Sequence, residues 1–356
     1  MTTDLDAMHD LDPVVNRLPG EPVPYYLANG EGRRYELDDL LHTIIARAAD
    51  TGGLFDAAYI TGGRGSAAPF HAHAHQHRSF YVCSGSVQVW LGRSSRILVP
   101  GDSVHAPAGT PVAYRMLAHV TKLLTWAAPG GSVEFAEKLG TPVRRRVHSG
   151  RSTSGVSGRQ REGIAAPLGI TFPAIDPEPV RDHWDAALPQ GVEPYFLRAG
   201  EGDRRETGDS LNTYLVRGAN TAGNYFAVDT FGTRSQYFIR HFHQRHTESF
   251  VCLSGRIWLY VNGREVLLTE GDFVHAPAGT IHTFAFDAHN TRMLGILTPD
   301  VFEAFFDLTG RPTDLHVHPD GPAELATDPA ELAASDLDLD LVVVGPPPQR
   351  MAGLDV

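Results

Sequence analysis

The chain has very little cysteine and very little lysine. Its 356 residues include two cysteines, Cys83 and Cys252, which lie far apart in apolar segments. They cannot form a disulfide framework or a zinc site built from cysteines, and we interpret both as buried small hydrophobic residues in a reducing compartment. Lys122 and Lys138 are the only lysines, and the formal net charge is -12. This charge argues against nucleic acid or an anionic membrane surface as the main partner.

The sequence also lacks a long apolar segment. Its amino terminus, MTTDLDAMHDLDP, carries acidic residues where a signal peptide needs a basic start and an apolar run, and no segment approaches the length of a membrane span. We therefore expect a cytoplasmic protein. With 42% hydrophobic and 9% aromatic residues, the composition is typical of a globular chain, and its length suffices for two domains.

An internal repeat runs through most of the chain. The sequence VHAPAGT occurs identically at 104–110 and at 274–280, which is a shift of 170 positions. The same shift, without a gap, places PYYL at 24–27 onto PYFL at 194–197. A constant offset over more than a hundred residues indicates the duplication of a whole domain.

Each copy has the composition of β structure. Short apolar runs such as FVCLSGRIWLYVNG are rich in Val, Ile, Phe, Tyr and Trp and are separated by Gly, Pro and Asn-Gly. Strands this short and evenly separated predict a closed or double-sheet β architecture. We expect an amino-terminal arm at 1–20, a first domain at 21–146, a linker at 147–190, a second domain at 191–315 and a tail at 316–356.

The segments outside the two domains have their own patterns. Residues 144–163, RRRVHSGRSTSGVSGRQREG, are polar and rich in Gly and Ser, which predicts a surface linker. In the tail, DPAELAASDLDLD predicts a short helix that Asp328 caps, and VVVGPPPQR predicts a strand that stops at the prolines.

Four residues of the second copy form a candidate metal site. His241 and His243 are two positions apart, so on a strand both imidazoles point to one side. Glu248 lies near the start of the next strand, and His282 enters from a later strand after a Pro-Gly turn. Three imidazoles and one carboxylate suit Fe(II), Mn(II), Ni(II), Co(II) or Cu(II), and the identity of the metal stays open. An oxygen-rich hard cation is a poor match.

These residues carry a family resemblance. The patterns H-x-H-x4-E-x6-G at 241–255 and G-x5-P-x-G-x2-H at 271–282 resemble the paired motifs of the cupin superfamily. In that superfamily the two His, the Glu and the later His bind a metal inside a jelly-roll barrel. The resemblance implies an all-β protein with two tandem cupin domains, short helical segments and one divalent transition metal per chain.

The opening segments of both copies are similar to one branch of that superfamily. PYYLANGEGRRYELDDLLHTIIARAADTGGLF, PYFLRAGEGDRR and a tail with Gly-Pro-Pro resemble bicupin flavonol 2,4-dioxygenases, the quercetinases named for quercetin 2,3-dioxygenase activity. Members of that family use a metal-held Glu to take the proton from the flavonol 3-hydroxyl, after which dioxygen cleaves the central ring and carbon monoxide leaves. The resemblance implies that Glu248 is catalytic and that the partners are a small aromatic substrate and O2.

Other functions of a cupin remain open at this point. A metal-dependent isomerase or decarboxylase, or a ligand-binding bicupin without turnover, uses the same fold and metal. A decarboxylase of oxalate-like acids would need a cationic, polar pocket. The oligomeric state is also open, with a homodimer among the alternatives.

The first copy departs from the ligand set of the second. His71 and His73 are kept, but Arg78 replaces the Glu and Val112 replaces the later His. A guanidinium in the place of the carboxylate would repel a dication, so we expect a metal-free structural copy. The alternative is a rearranged metal site that uses His71, His73 and His75.

The remaining histidines of the two motifs are expected to play no part in metal binding. We interpret His75 and His77, and likewise His246, as solvated turn residues. His105 and His275 lie inside the identical VHAPAGT sequences, and we expect them to be packing residues because the copy without the metal also keeps its His.

Strand alternation also predicts the wall around the metal. Counting back from His241 points Tyr237 and Ile239 inward, and counting on from His282 adds Phe284 and Phe286. Such a wall suits a flat apolar aromatic substrate. The alternative is that these residues are ordinary core.

Overall fold

Buried and partly exposed side chains alternate along corresponding strands of the two repeats. The pattern is strict in Val87–Leu91 and in Ile257–Val261, which are 170 positions apart. A period of two is the pattern of a strand with one face on a core. The computed structural model describes residues 5–150, 156–181, 184–185, 187–208, 210–318 and 338–349.

The first half of the chain contains fourteen strands in the described residues. They are β1 (Val14–Val15), β2 (Tyr25–Leu27), β3 (Arg33–Leu37), β4 (Leu40–Ala46), β5 (Asp56–Gly63), β6 (Ala67–His73), β7 (His77–Ser84), β8 (Val87–Leu91), β9 (Ser94–Leu98), β10 (Ser103–Ala106), β11 (Val112–Met116), β12 (Val120–Ala128), β13 (Thr141–Pro142) and β14 (Ile170–Thr171).

The second half contains thirteen more within the described residues. They are β15 (Tyr195–Leu197), β16 (Asp203–Thr207), β17 (Ser210–Val216), β18 (Phe226–Gly232), β19 (Arg240–Phe242), β20 (Thr247–Ser254), β21 (Ile257–Val261), β22 (Arg264–Leu268), β23 (Phe273–Ala276), β24 (His282–Phe286), β25 (Thr291–Thr298), β26 (Arg311–Pro312) and β27 (Val342–Gly345).

The helices are few and short. They are α1 (Leu5–His9), α2 (Glu134–Leu139), α3 (Gly158–Ala165) and α4 (Glu303–Thr309), with 3-10 turns at Ala166–Leu168, Gly218–Thr221 and Asp300–Phe302. In the part of the chain that the structure describes, no helix is both long and apolar enough to cross a membrane.

Each half folds into a barrel made of one large and one small sheet. In the first barrel the eight-stranded sheet has the order β13-β3-β4-β5-β12-β7-β10-β15, and the five-stranded sheet has the order β14-β6-β11-β8-β9. In the second barrel the orders are β1-β2-β23-β20-β25-β18-β17-β16-β26 and β22-β21-β24-β19-β27. The prediction of an all-β protein with two tandem barrels and short helical segments is confirmed.

The two barrels exchange their opening strands. Strand β2 comes from the first repeat but pairs with β23 of the second barrel, and β15 comes from the second repeat but pairs with β10 of the first. Each exchanged strand keeps a bond to its own repeat, because the hydroxyl of Tyr25 donates to the carbonyl of Ile45 at 3.0 Å and that of Tyr195 donates to Leu215 at 2.8 Å. The exchange joins the barrels through backbone hydrogen bonds as well as side-chain packing.

A shared core lies between the barrels. Large side chains of both repeats, among them Phe55, Trp126, Tyr225 and Phe273, are buried together in one apolar cluster. Burial of a large apolar side chain contributes roughly 1.5–3 kcal/mol. This interface therefore fixes the two barrels against each other.

The predicted linker and tail each contribute a strand to a barrel. Strand β14 of the linker pairs with β6, and β27 of the tail pairs with β19, the strand that carries His241. The linker also contains α3, which sequence composition did not indicate. The predicted tail strand before the prolines is confirmed as β27. Of the helix predicted for 328–340, only residues 338–340 are described, and they are not helical.

Candidate metal centre

The structure brings the four predicted ligands of the second copy together. His241 on β19 pairs directly with His282 at the start of β24, His243 follows β19, and Glu248 is the second residue of β20. One ligand atom from each of the four lies within 4.8 Å of the others. All four side chains are buried. The jelly roll thus directs three imidazoles and a carboxylate of two neighbouring motifs to one point.

Backbone carbonyls fix the tautomer of each imidazole. A carbonyl oxygen only accepts, so an Nδ1 atom at hydrogen-bond distance from it must carry the proton, and the lone pair is left on Nε2. The three bonds run from His241 to Ile239 at 2.9 Å, from His243 to Asp340 at 2.7 Å and from His282 to Thr280 at 2.9 Å. All three Nε2 lone pairs are therefore available to a cation.

The arrangement around Glu248 fits a bound cation. Its Oε2 lies 3.0 Å from Nε2 of His282 and its Oε1 lies 3.5 Å from Nε2 of His243. With these tautomers, lone pairs face carboxylate oxygens, an arrangement that a positive charge between them would stabilise. Three imidazole nitrogens and one carboxylate oxygen are a donor set that divalent transition metals take. These residues could hold one such ion.

Electrostatics favours the ligand forms of these groups. Burial lowers the pKa of His243 to about 4, and burial together with the neighbouring His282 and His243 lowers the pKa of His241 to well below its ordinary value. Burial tends to raise the pKa of Glu248, but the surrounding histidines outweigh it and hold that pKa well below the usual range. Neutral imidazole and ionised carboxylate are the states that bind a metal.

Asp340 supports the site from the far end of the chain. Its backbone carbonyl accepts from His243, and its carboxylate accepts from the backbone N–H groups of Gln244 at 2.9 Å, Arg245 at 3.0 Å and His246 at 3.2 Å. The turn between the second and third ligands is therefore held by a residue that precedes β27. Such outer partners orient metal ligands.

His246 is part of this support, which corrects the expectation that it is a solvated turn residue. It is fully buried, and its Nδ1 lies 2.6 Å from Oδ2 of Asp340. Its Nε2 lies 3.6 Å from Oε1 of Glu248. Burial opposes protonation, but hydrogen bonds with Asp340 and Glu248 raise the pKa of His246 above its ordinary value. His246 is buried because Asp340 of the tail packs on this turn. The sequence around His246 gives no indication of this contact, since Asp340 is far away along the chain.

In the first barrel a guanidinium stands where the second barrel gathers its ligands. His71 donates its Nδ1–H to the carbonyl of Pro69 at 2.8 Å, as His241 does to its own neighbour, so its Nε2 accepts from Arg78 at 2.7 Å. Val112 pairs with His71 across β6 and β11, which matches the pairing of the two metal-site histidines in the second barrel. Arg78 is only 4% exposed. Its cationic group takes the lone pair that a metal would use.

The alternative site of His71, His73 and His75 does not assemble. His75 is exposed in the turn, as predicted, while His73 is buried. Among the described residues, clusters of three or more candidate ligands occur only in the second barrel. His77 was predicted to be solvated, which is wrong, because β7 begins at this residue and its ring stacks at 6.3 Å on that of His105.

The histidines of the identical VHAPAGT sequences are packing residues, as predicted. His105 and His275 are fully buried, and their Nδ1 atoms lie 3.0 and 2.9 Å from the hydroxyls of Ser79 and Ser249. They lie near the interface between the barrels, where His105 also donates to the carbonyl of Asn220 of the other repeat. We infer that both repeats contain a histidine at this position because it packs near the interface between the barrels.

Comparison with known proteins agrees with this architecture. A family profile described as a cupin domain matches residues 60–124 and again residues 230–296. A quercetin 2,3-dioxygenase from Bacillus subtilis (strain 168) is 35% identical over 316 residues, which are 87% of this chain and 93% of that protein. The chain belongs to the cupin family. It is a bicupin, since the profile matches twice.

Three further proteins are similar to this bicupin over part or most of its length. A quercetin 2,3-dioxygenase from Aspergillus japonicus is 30% identical over 133 residues, which are 34% of the bicupin and 37% of that protein. Oxalate decarboxylase from Bacillus subtilis superposes with a TM-score of 0.52 at 15% identity, covering 82% of the bicupin and 78% of that chain. The protein Ylba from E. coli gives 0.53 at 10% identity, with coverage of 83% and 97%. At such low identities the two structural likenesses show the fold alone.

An apolar cavity of about 130 Å³ opens beside the candidate ligands of the bicupin. His241 and Glu248 line it, and no lysine or arginine does so among the described residues. Its other polar lining residues are the uncharged Thr207, Ser210, Asn212, Thr230 and Thr309. Its aromatic wall consists of Phe238, Phe250, Phe284, Phe302, Phe305 and Phe306. Three of these rings come from the 3-10 turn and α4 that follow β25. The cavity offers a flat apolar group access to the carboxylate.

The predicted inward positions of Tyr237 and Ile239 need correction. Strand β19 begins only at Arg240, so strand alternation does not extend back to these residues. The hydroxyl of Tyr237 donates to Glu265 at 2.9 Å, outside the cavity wall. Phe238 takes the inward position instead, with its ring 6.0 Å from that of His241.

Alternation along β24 gives a mixed result. Phe284 lines the cavity, two positions from His282, as the pattern predicts. Phe286 lies two positions further along, and it is buried in the apolar core of the barrel beyond the cavity wall. The cavity closes before the strand ends, so only the residue nearest the metal ligand reaches it.

Proposed function

We propose that this bicupin is a metal-dependent dioxygenase that cleaves the central ring of a flavonol such as quercetin with O2 and releases carbon monoxide. The observation that carries the proposal is the cavity that places Glu248 and His241, two members of the buried four-residue ligand cluster, beside an aromatic wall. The name of the relative that shares 35% identity over 87% of the chain supports the same substrate class.

Glu248 is proposed as the base that takes the proton from the flavonol 3-hydroxyl, and His241, His243, His282 and Glu248 as the metal ligands. A bound divalent transition metal would supply Lewis acidity for oxygen ligands. The depressed pKa of Glu248, set by its histidine neighbours against the effect of burial, keeps this group as a carboxylate that can accept a proton.

The cavity wall is proposed to orient the substrate and to exclude water. The ring of Phe238 lies 6.0 Å from that of His241, and the ring of Phe302 lies 4.6 Å from that of His243. Offset or edge-to-face contacts with such rings favour a flat aromatic molecule. A dry site strengthens the interaction of the carboxylate with the hydroxyl proton.

The lining of the cavity in the second barrel argues against activity as an oxalate decarboxylase, although the fold is shared with such enzymes. A small dicarboxylate carries two negative charges, and burying them without cationic partners costs several kcal/mol. Among the described residues, the lining of the cavity in the second barrel contains neither arginine nor lysine beside Glu248. A flavonol brings mainly apolar surface to the same space.

The proposal is tested by an anaerobic titration of the metal-loaded protein with quercetin, followed by admission of air. We expect a red shift of the flavonol absorbance without oxygen, as the hydroxyl loses its proton, and bleaching with uptake of one O2 and release of one CO per flavonol once air enters. Binding without oxygen uptake would indicate a ligand-binding bicupin. Release of CO2 from oxalate by the same protein would favour the decarboxylase.

The role of Glu248 is tested with Glu248→Gln at measured, high metal occupancy. Loss of a general base typically lowers the rate by about 100- to 10,000-fold. We expect quercetin to bind without the red shift and to be cleaved slower by that factor. Glu270→Gln, an exposed carboxylate of the same barrel, is the matched control and should leave the rate unchanged. A near-native rate for metal-loaded Glu248→Gln would show that Glu248 is at most a ligand.

A further inference from the structure

The first barrel keeps a cavity at the place where the second barrel has its candidate active site. The cavity measures about 100 Å³ and is lined by residues of β4, β5, β6, β7, α2 and β14. Several lining positions correspond at the offset of 170, for example Phe80 to Phe250 and Tyr114 to Phe284. The first barrel therefore retains a cavity at this position although it lacks the complete set of metal ligands.

A buried cation points into this cavity. The guanidinium of Arg78 contacts Nε2 of His71 at 2.7 Å and, at 3.4 Å, the carbonyls of His71 and Thr110. None of these partners is charged, and among the described residues no carboxylate lies at ion-pair distance from Arg78, although the buried Asp56 interacts with it electrostatically at longer range. A buried cation without a directly contacting counter-charge is costly, and a ligand anion would offset that cost.

Further polar groups face the same space. Arg161 of α3 lines the cavity and is paired with Asp38 at 2.5 Å, so two guanidinium groups face one carboxylate. His42 also lines the cavity, and its Nε2 atom is buried without a hydrogen-bond partner among the described residues. Asp38 thus contacts one of the two guanidinium groups directly, whereas Arg78 has only the longer-range interaction with Asp56 and no carboxylate in contact.

The rest of the wall suits an aromatic ring. Phe80, Tyr114, Phe135 and Phe172 line the cavity together with small aliphatic side chains. The volume is of the same order as the roughly 150 Å³ of an engineered apolar cavity that binds benzene.

We propose that the first barrel binds a small aromatic carboxylate, whose carboxylate contacts Arg78 while its ring lies between Phe80, Tyr114 and Phe135. Arginine binds carboxylates through two parallel hydrogen bonds, and both oxygens of the ligand can accept. The site is independent of the oxygenase proposal, because it uses no residue of the second barrel. The first barrel has Arg78 at the position where the second barrel has Glu248. Because the charge at this position is reversed, we expect the first barrel to prefer an anion where the second prefers a cation.

The proposal is tested by calorimetric titration of the metal-loaded protein with benzoate and with the neutral analogue benzamide. We expect one benzoate site per chain in the first barrel and at least about tenfold weaker binding of benzamide, since charge-assisted bonds to arginine are roughly twice as strong as neutral ones. Arg78→Gln should weaken benzoate binding by at least about tenfold. Equal affinity for benzoate and benzamide, or unchanged affinity in Arg78→Gln, would overturn the proposal.

Two further variants locate the site. Ala68→Phe adds a ring at the cavity wall where the second barrel has Phe238, and it should abolish benzoate binding while leaving Arg78 in place. It also keeps the test decisive if Arg78→Gln fails to fold, which thermal melting would show. His241→Ala removes a candidate ligand of the other barrel and should leave benzoate binding intact. Loss of the site in His241→Ala alone would place the anion at the metal and refute the assignment to the first barrel.

Discussion

The two barrels share their backbone plan and differ in the charge at one buried position. His71 and His241 lie at matching positions, and each donates its Nδ1–H to the carbonyl two residues earlier. In one barrel the remaining lone pair meets the guanidinium of Arg78, and in the other it faces a cluster that contains Glu248. The fold therefore orients the imidazole, and a single side chain decides whether the positive charge beside it is built in or must be bound.

The supports of the two sites differ as well. In the second barrel Asp340 accepts from His243 and His246, whereas in the first barrel the Nδ1 atom of His73 has no partner among the described residues. The tail strand β27 and the linker strand β14 occupy comparable edges of their barrels, next to β19 and β6. The two strands therefore differ in what they support. Only the segment before β27 brings a carboxylate, that of Asp340, to the turn that follows His243.

The largest expected effect is the loss of the metal from one barrel only. We expect the protein to bind close to one transition-metal ion per chain, and His241→Ala to abolish this binding because a buried nitrogen ligand is removed. His71→Ala is the matched control and should leave the metal content unchanged, since the lone pair of His71 already binds Arg78. Elemental analysis measures both. Two tightly bound ions per chain would contradict the contrast between the barrels.

The converse change should give the first barrel a metal site. Arg78→Glu with Val112→His restores the missing carboxylate and the missing imidazole, and Val112 already pairs with His71 as His282 pairs with His241. We expect a second ion to bind, with affinity lower by about 10- to 100-fold because the outer support of His73 is missing. Metal titration with His241→Ala as the background isolates the new site. Absence of any second ion up to millimolar metal would mean that the two substitutions do not suffice.

The sequence predicted which four side chains cluster in the second barrel, but not the residues that support them, for a physical reason. The ligands lie in two compact motifs whose spacing follows from strand alternation and a turn, so local pattern carries the information. Asp340 lies 97 residues after His243, and nothing near either residue indicates that they meet. The helix predicted for 328–340 lies largely outside the described residues, whereas its last residue, Asp340, is the one that supports the site.

The exchange of strands was hidden for a similar reason. The pattern of β2 and of β15 is that of a short buried strand, and such a pattern is the same whichever barrel supplies the neighbouring edge. The cavity wall was predicted only where a regular strand continues from a ligand. It was missed at Phe238, where the strand has not yet begun, and on α4, whose rings arrive from a separate element.

A moderate loss of metal affinity is expected when Asp340, which supports the site in the second barrel, is replaced. Asp340→Ala removes the carboxylate that accepts from His246 and from the amides of the turn, but it leaves the backbone carbonyl that holds His243. Loss of such outer partners typically lowers metal affinity by about 10- to 100-fold. Competition with a chelator measures this affinity. Asp338→Ala, which removes an exposed ion pair with Arg245, is the control and should have no effect on it.

The smallest expected effect concerns the pair of histidines at which the barrels agree. Burial lowers the pKa of His105 and of His275 to about 3, from an ordinary value of 6.5. Because the pKa is lower in the folded state than in the unfolded state, each residue contributes stability above pH 6.5 that is lost as the pH falls towards 3. Between pH 7 and pH 5 this linkage amounts to about 2 kcal/mol per histidine.

Glutamine does not titrate, so His105→Gln and His275→Gln should each reduce the loss of unfolding free energy between pH 7 and pH 5 by about 2 kcal/mol relative to the unchanged chain. Denaturant unfolding at the two pH values measures the difference, and any uniform destabilisation by the substitution cancels in it. Both rings are fully buried beside a serine hydroxyl and both pKa values fall to about 3, so the two variants should change the pH dependence by about the same amount, although only His105 also donates to a backbone carbonyl. A clear inequality would show that the interface treats the two copies differently. In that case the asymmetry between the barrels would extend beyond Arg78 and Glu248 to the core that joins them.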